Sequence, residues 1–155
     1  MSQQTTSDLP HALLTAPETA ARLGICALTL RYWAWDKVIP HYSIGATPRL
    51  NIVELLDYLH LSSIGRDTGV EFGAGGVLIG KNAIAKFLGV SLSTVKRNIS
   101  SWPHSRQDAT YVCHPHELLA HFHIAPLDDE LTQKRLGRIR QRLAAKHQHS
   151  DKSQI

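Results

Sequence analysis

Four stretches of the chain carry apolar residues three and four positions apart, the spacing that lines one face of a helix: Leu30, Trp33 and Ala34; Leu55, Leu56 and Leu59; Val95 and Ile99; and Leu136, Ile139 and Leu143. The residues between them set limits. Thr15, with Pro17 next but one and Glu18 three positions on, is a capping-box start for a helix through about Arg22, and Gly24 permits the left-handed backbone that ends it. A second helix is expected from about Ala27 to Lys37. VIPHYSIGATPRL then reads as a short two-stranded wing, with β-branched residues around Gly45 and Pro48. Asn51 can cap a third helix from Ile52 to Leu61.

The pattern then repeats. Sliding the chain by 65 residues lays Ala20-Ala21-Arg22-Leu23-Gly24-Ile25 over Ala85-Lys86-Phe87-Leu88-Gly89-Val90, and Thr29-Leu30-Arg31 over Thr94-Val95-Lys96. A deletion of two brings Leu55-Leu56-Asp57-Tyr58-Leu59 over Leu118-Leu119-Ala120-His121-Phe122. The second copy is expected to form helices from about Lys81 to Phe87 and from Leu92 to Ser101, capped by Ser91, then a wing through Tyr111-Val112-Cys113 and a helix opening at Pro115. Residues 62–76, with five glycines, favour a mobile connection. The expected architecture is mainly α: a first unit at 11–61, a linker at 62–76, a second unit at 77–125, a basic amphipathic helix at 126–147 and a disordered tail at 148–155.

Composition changes this picture little; the placement of charge changes it more. An apolar fraction of 43% is that of a globular chain, and 155 residues suffice for two small cores. The apolar runs are far shorter than the roughly 20 residues of a membrane span, and the N-terminus lacks a signal pattern. Cys26 and Cys113 are too few for a disulfide framework, so a cytoplasmic location is expected. Lys and Arg number 4 against 5 acids in residues 1–61, 5 against 2 in 77–125 and 7 against 4 in 126–155. A polyanion would therefore be held mainly by the C-terminal half.

Two short helices joined by a glycine turn form the arrangement in which the second helix is offered to the DNA major groove. Such a helix needs hydrogen-bonding side chains outward and apolar ones inward. With Val95 and Ile99 turned to the core, Ser93, Thr94, Lys96, Arg97 and Asn98 remain outward, behind the cap Ser91. Lys96 or Arg97 suits guanine or phosphate, and Asn98 suits adenine. A solvated polar face on a three-helix bundle is the plainer alternative.

The run LTAPETAARLGI, TLRYW, VIPHYSIG and LNIVELLDYL resembles the winged helix-turn-helix domains of the excisionase and MerR-like superfamily. The two copies cover residues 14–61 and 78–123, about six-tenths of the chain. The resemblance implies two tandem winged helix-turn-helix domains that bind double-stranded DNA, as in transcriptional regulators, recombination directionality factors and packaging-enzyme recognition subunits. By position it places DNA contacts on Thr29, Arg31 and Tyr32 in the first copy and on Ser93, Thr94, Lys96 and Arg97 in the second. The first copy departs from the pattern. Cys26 stands at the cap, Ala27 and Leu28 replace polar contacts, and Arg49 is the only basic residue of its wing. It therefore reads as a weaker DNA reader or a protein-binding version, with Trp35 either a surface anchor for a partner or packed on the wing.

In the tail, Arg135, Arg138 and Arg142 form a stripe beside Leu136, Ile139 and Leu143, which suits either a helix pairing with its twin in a homodimer or a basic arm on phosphate. CHPHELLAHFH resembles a zinc-protease motif, yet His116 and His121, five apart, point about 140° from each other on a helix and cannot share one ion. His116 with His123, or His114 with His121, leaves a metal site open at longer reach. No triad, phosphate loop or carboxylate pair stands out. The expectation is a non-enzymatic, cofactor-free DNA-binding protein using residues 91–98, Arg106 and the basic tail. Its rival is an assembly or adaptor protein.

Overall fold

Helix ends are fixed by local chemistry. The Thr15 hydroxyl accepts from the Glu18 amide at 3.3 Å while the Glu18 carboxylate accepts from the Thr15 amide at 2.9 Å, closing the capping box. Ser91 Oγ accepts from the Thr94 amide at 3.2 Å, and Asn51 Oδ1 from the Glu54 amide at 3.1 Å. The computed structural model describes residues 11–45, 47–61, 64–66 and 76–153, the last six by backbone alone. Most of the glycine-rich linker expected at 62–76 lies outside the described residues.

In chain order the first unit is β1 (Leu14–Thr15), α1 (Ala16–Leu23), α2 (Ala27–Trp35), β2 (His41–Ile44), β3 (Thr47–Leu50) and α3 (Ile52–Tyr58). The second repeats it as β4 (Leu78–Ile79), α4 (Lys81–Leu88), α5 (Leu92–Asn98), β5 (Ser105–Gln107), β6 (Thr110–Cys113) and α6 (Pro115–Phe122). A 3-10 turn at Ile99–Ser101 replaces the last turn expected of α5. β7 (His123–Ile124) and α7 (Glu130–Ser153) follow. The two-residue strands convert each hairpin into a small antiparallel sheet, one ordered β1-β3-β2-β7 and the other β4-β6-β5. The molecule is a mix of helices and two small antiparallel sheets, broadly compatible with helices that each carry a short wing; the added strands β1, β4 and β7 are too short to leave a periodicity to read.

The sheets also join the units. β7, at the end of the second unit, pairs with β2 of the first through His41 opposite Ile124 and Tyr42 opposite His123. Leu13, Tyr42 and Ile44 of the first unit are buried in the second core beside Phe87, Val95 and Ile99. The Leu13 amide donates to the Phe87 carbonyl at 2.7 Å, and Arg49 Nε to the Gly89 carbonyl at 2.8 Å. Across the seam Glu54 meets His123 Nε2 at 3.0 Å, and within its own unit it accepts from the Tyr42 hydroxyl at 3.1 Å. Burial drives the His41 pKa down and, with Glu54 beside it, the Tyr42 pKa up, so both groups stay neutral in the seam.

α7 packs on its own chain. Leu136, Ile139 and Leu143 lie in the first core, each 4% exposed or less, which at about 1.5–3 kcal/mol per buried side chain anchors the helix firmly. The apolar stripe expected to pair with a twin is therefore covered within the chain. Basic groups of α7 close the carbonyl ends of other helices: Arg140 donates twice to the Tyr58 carbonyl at 3.0 and 2.7 Å, while Lys146 reaches the Gly24 carbonyl and His147 Nε2 lies 3.1 Å from that of Leu23. The helix continues to Ser153, into the tail expected to be disordered, since extending a nucleated helix costs little. Among the described residues no helix is long and apolar enough to cross a membrane.

Candidate nucleic-acid interface

α5 turns Val95 and the following Ile99 inward, at 0% and 2% exposure. At about 100° per residue, that orientation puts Ser93 and Arg97 on the outward crest, Leu92 and Lys96 on one flank, and Ser91, Thr94 and Asn98 on the other. Ser91, Ser93, Lys96, Arg97 and Asn98 are all exposed, and Thr94 is half-buried. Five exposed polar side chains and the half-buried Thr94 thus cover the outer side of α5.

Two grooves run along the flanks. One, of about 290 Å³, lies between α5 and the hairpin of its own unit and is lined by Lys81, Asn82, Leu92, Lys96, Thr110 and Tyr111 among others. The second, of about 620 Å³, separates α5 from the hairpin of the first unit; Thr47 and Arg49 face Ser91, Thr94, Arg97 and Asn98 across it. Among the described residues no carboxylate lines either groove. The Tyr111 ring, which lines the smaller groove, has the Lys81 ammonium 5.3 Å and the Arg106 guanidinium 4.8 Å from its centre. Lys81 is not among the contacts expected from the sequence, which fall on α5, Arg106 and the tail in this half of the chain; a lysine in the first turn of α4, unfavourable to the helix dipole, is the available signal.

Some expected contacts have other partners. Ser91 Oγ caps α5 and lies within 3.2 Å of the Ser93 and Thr94 hydroxyls. Asn98 donates one of its two amide hydrogens to the Thr94 carbonyl at 2.8 Å. Arg49, besides its bond to Gly89, donates to the Thr47 hydroxyl at 2.6 Å and tethers the two units. Arg135 is paired with Asp36 at 2.8 Å, whereas Arg138 and Arg142 are exposed. Asp108, an acid at the tip of the β5–β6 hairpin, holds φ at 57°.

The corresponding helix of the first unit has a different surface. Leu28, Tyr32 and Trp35 are 46%, 50% and 50% exposed and form an apolar ridge, with the Tyr32 and Trp35 rings edge-on at 5.8 Å. Trp33 fills the core, so Trp35 is the exposed one of the pair. Arg31 is half-buried, and Thr29 lines a cleft of about 310 Å³ against Arg142, Leu143 and Lys146 of α7. Cys26 makes no capping hydrogen bond, but the Leu28 and Thr29 amides at its sulfur, with Arg31 nearby, pull the thiol below its usual range.

His114, His116 and His121 are exposed on or beside α6, and His123 is engaged by Glu54. Among the described residues no three His, Cys, Asp or Glu are grouped to hold a metal ion. Compared with known proteins, the chain matches no family model, no curated protein and no solved structure.

Proposed function

We propose that the chain is a non-enzymatic, sequence-directed binder of double-stranded DNA, built from two winged helix-turn-helix units, with α5 as its recognition helix. A single observation carries this reading: α5 forms a ridge of exposed hydrogen-bonding and cationic side chains, with a groove on each side that no carboxylate lines among the described residues. An α-helix with its side chains is about 10–12 Å across and the major groove about 12 Å wide, so the ridge matches the groove in size. Ser93 and Arg97 meet base edges, while Lys81, Lys96 and Arg106 meet phosphates. Such a protein serves as a transcriptional regulator or as an accessory factor in recombination or DNA packaging.

Fluorescence anisotropy with a labelled duplex tests this. Replacing Lys96 and Arg97 together by Ala should lower the slope of log affinity against log salt by about 0.9, for the phosphate contact of Lys96, and the affinity by about thirtyfold or more at 0.15 M salt, since the lost base contact of Arg97 adds about 1–3 kcal/mol. Unchanged binding by that double variant rejects α5 as the contact. A second reading, an adaptor that binds protein through the first unit, is favoured by the exposed ridge of Leu28, Tyr32 and Trp35. The two readings occupy different surfaces and are compatible in one molecule.

A further inference from the structure

The larger groove beside α5 has one wall from each unit. Its inner wall is α5, with Ser91, Thr94, Arg97 and Asn98; its outer wall is the β2–β3 hairpin, with Gly45, Thr47 and Arg49. Nothing in the repeat requires this. Two units on a free linker would each present one helix and one hairpin, and each hairpin would serve its own helix.

We infer that the hairpin of the first unit contacts the same duplex that α5 enters, so that one reading head with two wings is assembled from both units. The inference rests on the DNA reading above. A helix seated in the major groove has a sugar-phosphate strand on each side, and α5 has a hairpin on each side with a groove between. The occupant of the larger groove is then the second phosphate strand. Charge agrees with this, since its lining holds two arginines and, among the described residues, no acid.

The hairpin is also held where the task needs it. Ile44 and Tyr42 are 4% exposed and sit in the second core, while Ser43 between them points outward. β7 is paired along β2, and Arg49 Nε is bonded to the carbonyl of Gly89, two residues before the cap of α5. The spacing between hairpin and helix is thus built in before binding, and no ordering free energy is lost when DNA arrives. Arg49 acts in this account as a positioning residue, and the exposed Thr47 marks the surface that faces phosphate.

Charge placed at Thr47 provides the test. The full chain is compared with Thr47→Lys and Thr47→Glu by duplex anisotropy across 50–200 mM salt, with folding checked by thermal melts. One added phosphate contact should steepen the Thr47→Lys salt slope by about 0.9 and tighten binding about fivefold at 0.15 M salt, with Thr47→Glu weakening it comparably. A residue more than about 8 Å from phosphate is largely screened at that ionic strength and moves neither quantity so far. If both Thr47 variants bind like the parent while the Lys96 and Arg97 double variant loses affinity, the second wing is overturned and the DNA reading stands. If the double variant also binds unchanged, the reading and the inference fall together.

Discussion

Residues of one chemical type meet opposite surroundings in the two units, and the thiols give the clearest pair. Cys26 is exposed at the start of α2, where backbone amides and Arg31 favour the thiolate. Cys113 is buried at the end of β6, where burial, with Glu117 adding to it, pushes its thiol up to about 11. Iodoacetamide at neutral pH should therefore alkylate Cys26 while sparing Cys113 in the folded chain, as read by peptide mass mapping; equal labelling of both would contradict the placement. The sequence had already marked Cys26 as a poor cap, but its reactivity depends on neighbours brought by the turn. Arg49 and Asn98 teach the same lesson. Residue type and spacing put both at a candidate surface; that one bonds across to Gly89 and the other back to Thr94 is visible only once the backbone is in place.

Elements were legible where a side chain or a glycine dictates the backbone. Gly24 and Gly89 end α1 and α4 with φ of 70° and 68°. They differ in what surrounds them. A Cβ on Gly24 would meet the flexible end of Lys146 at 3.1 Å, whereas one on Gly89 would meet the Leu13 carbonyl at 3.0 Å, a backbone atom held by the junction between units. Gly24→Ala should cost about 1–2 kcal/mol for its left-handed backbone alone. Gly89→Ala should cost about 3 kcal/mol, since the clash is added. Urea denaturation of both variants measures the gap, and equal losses would show that the units do not press together at this turn. The strands β1, β4 and β7 were not legible, because two residues carry no alternation and their pairing partners lie far along the chain. The stripe on α7 was read correctly as apolar, but an amphipathic face does not name what covers it.

At the scale of the whole molecule, the sequence reads as two beads on a string and the fold sets them side by side. β7 extends the first sheet from the far end of the second unit, and α7 returns to seal the first core. The duplication thereby yields two unlike faces: a polar, cationic ridge on α5 and an apolar, aromatic one on α2. Under the proposed function the second unit reads DNA through α5, and the first lends that helix a second wing while keeping its exposed aromatic face available to a protein. Which face meets DNA is the central claim. An amide chemical-shift map of the 17.2 kDa chain titrated with duplex addresses it directly. The largest shifts are expected at residues 91–98, Lys81, Arg106 and Tyr111, with Thr47 moving alongside them. Shifts confined to Leu28, Tyr32 and Trp35, with α5 unmoved, would contradict it.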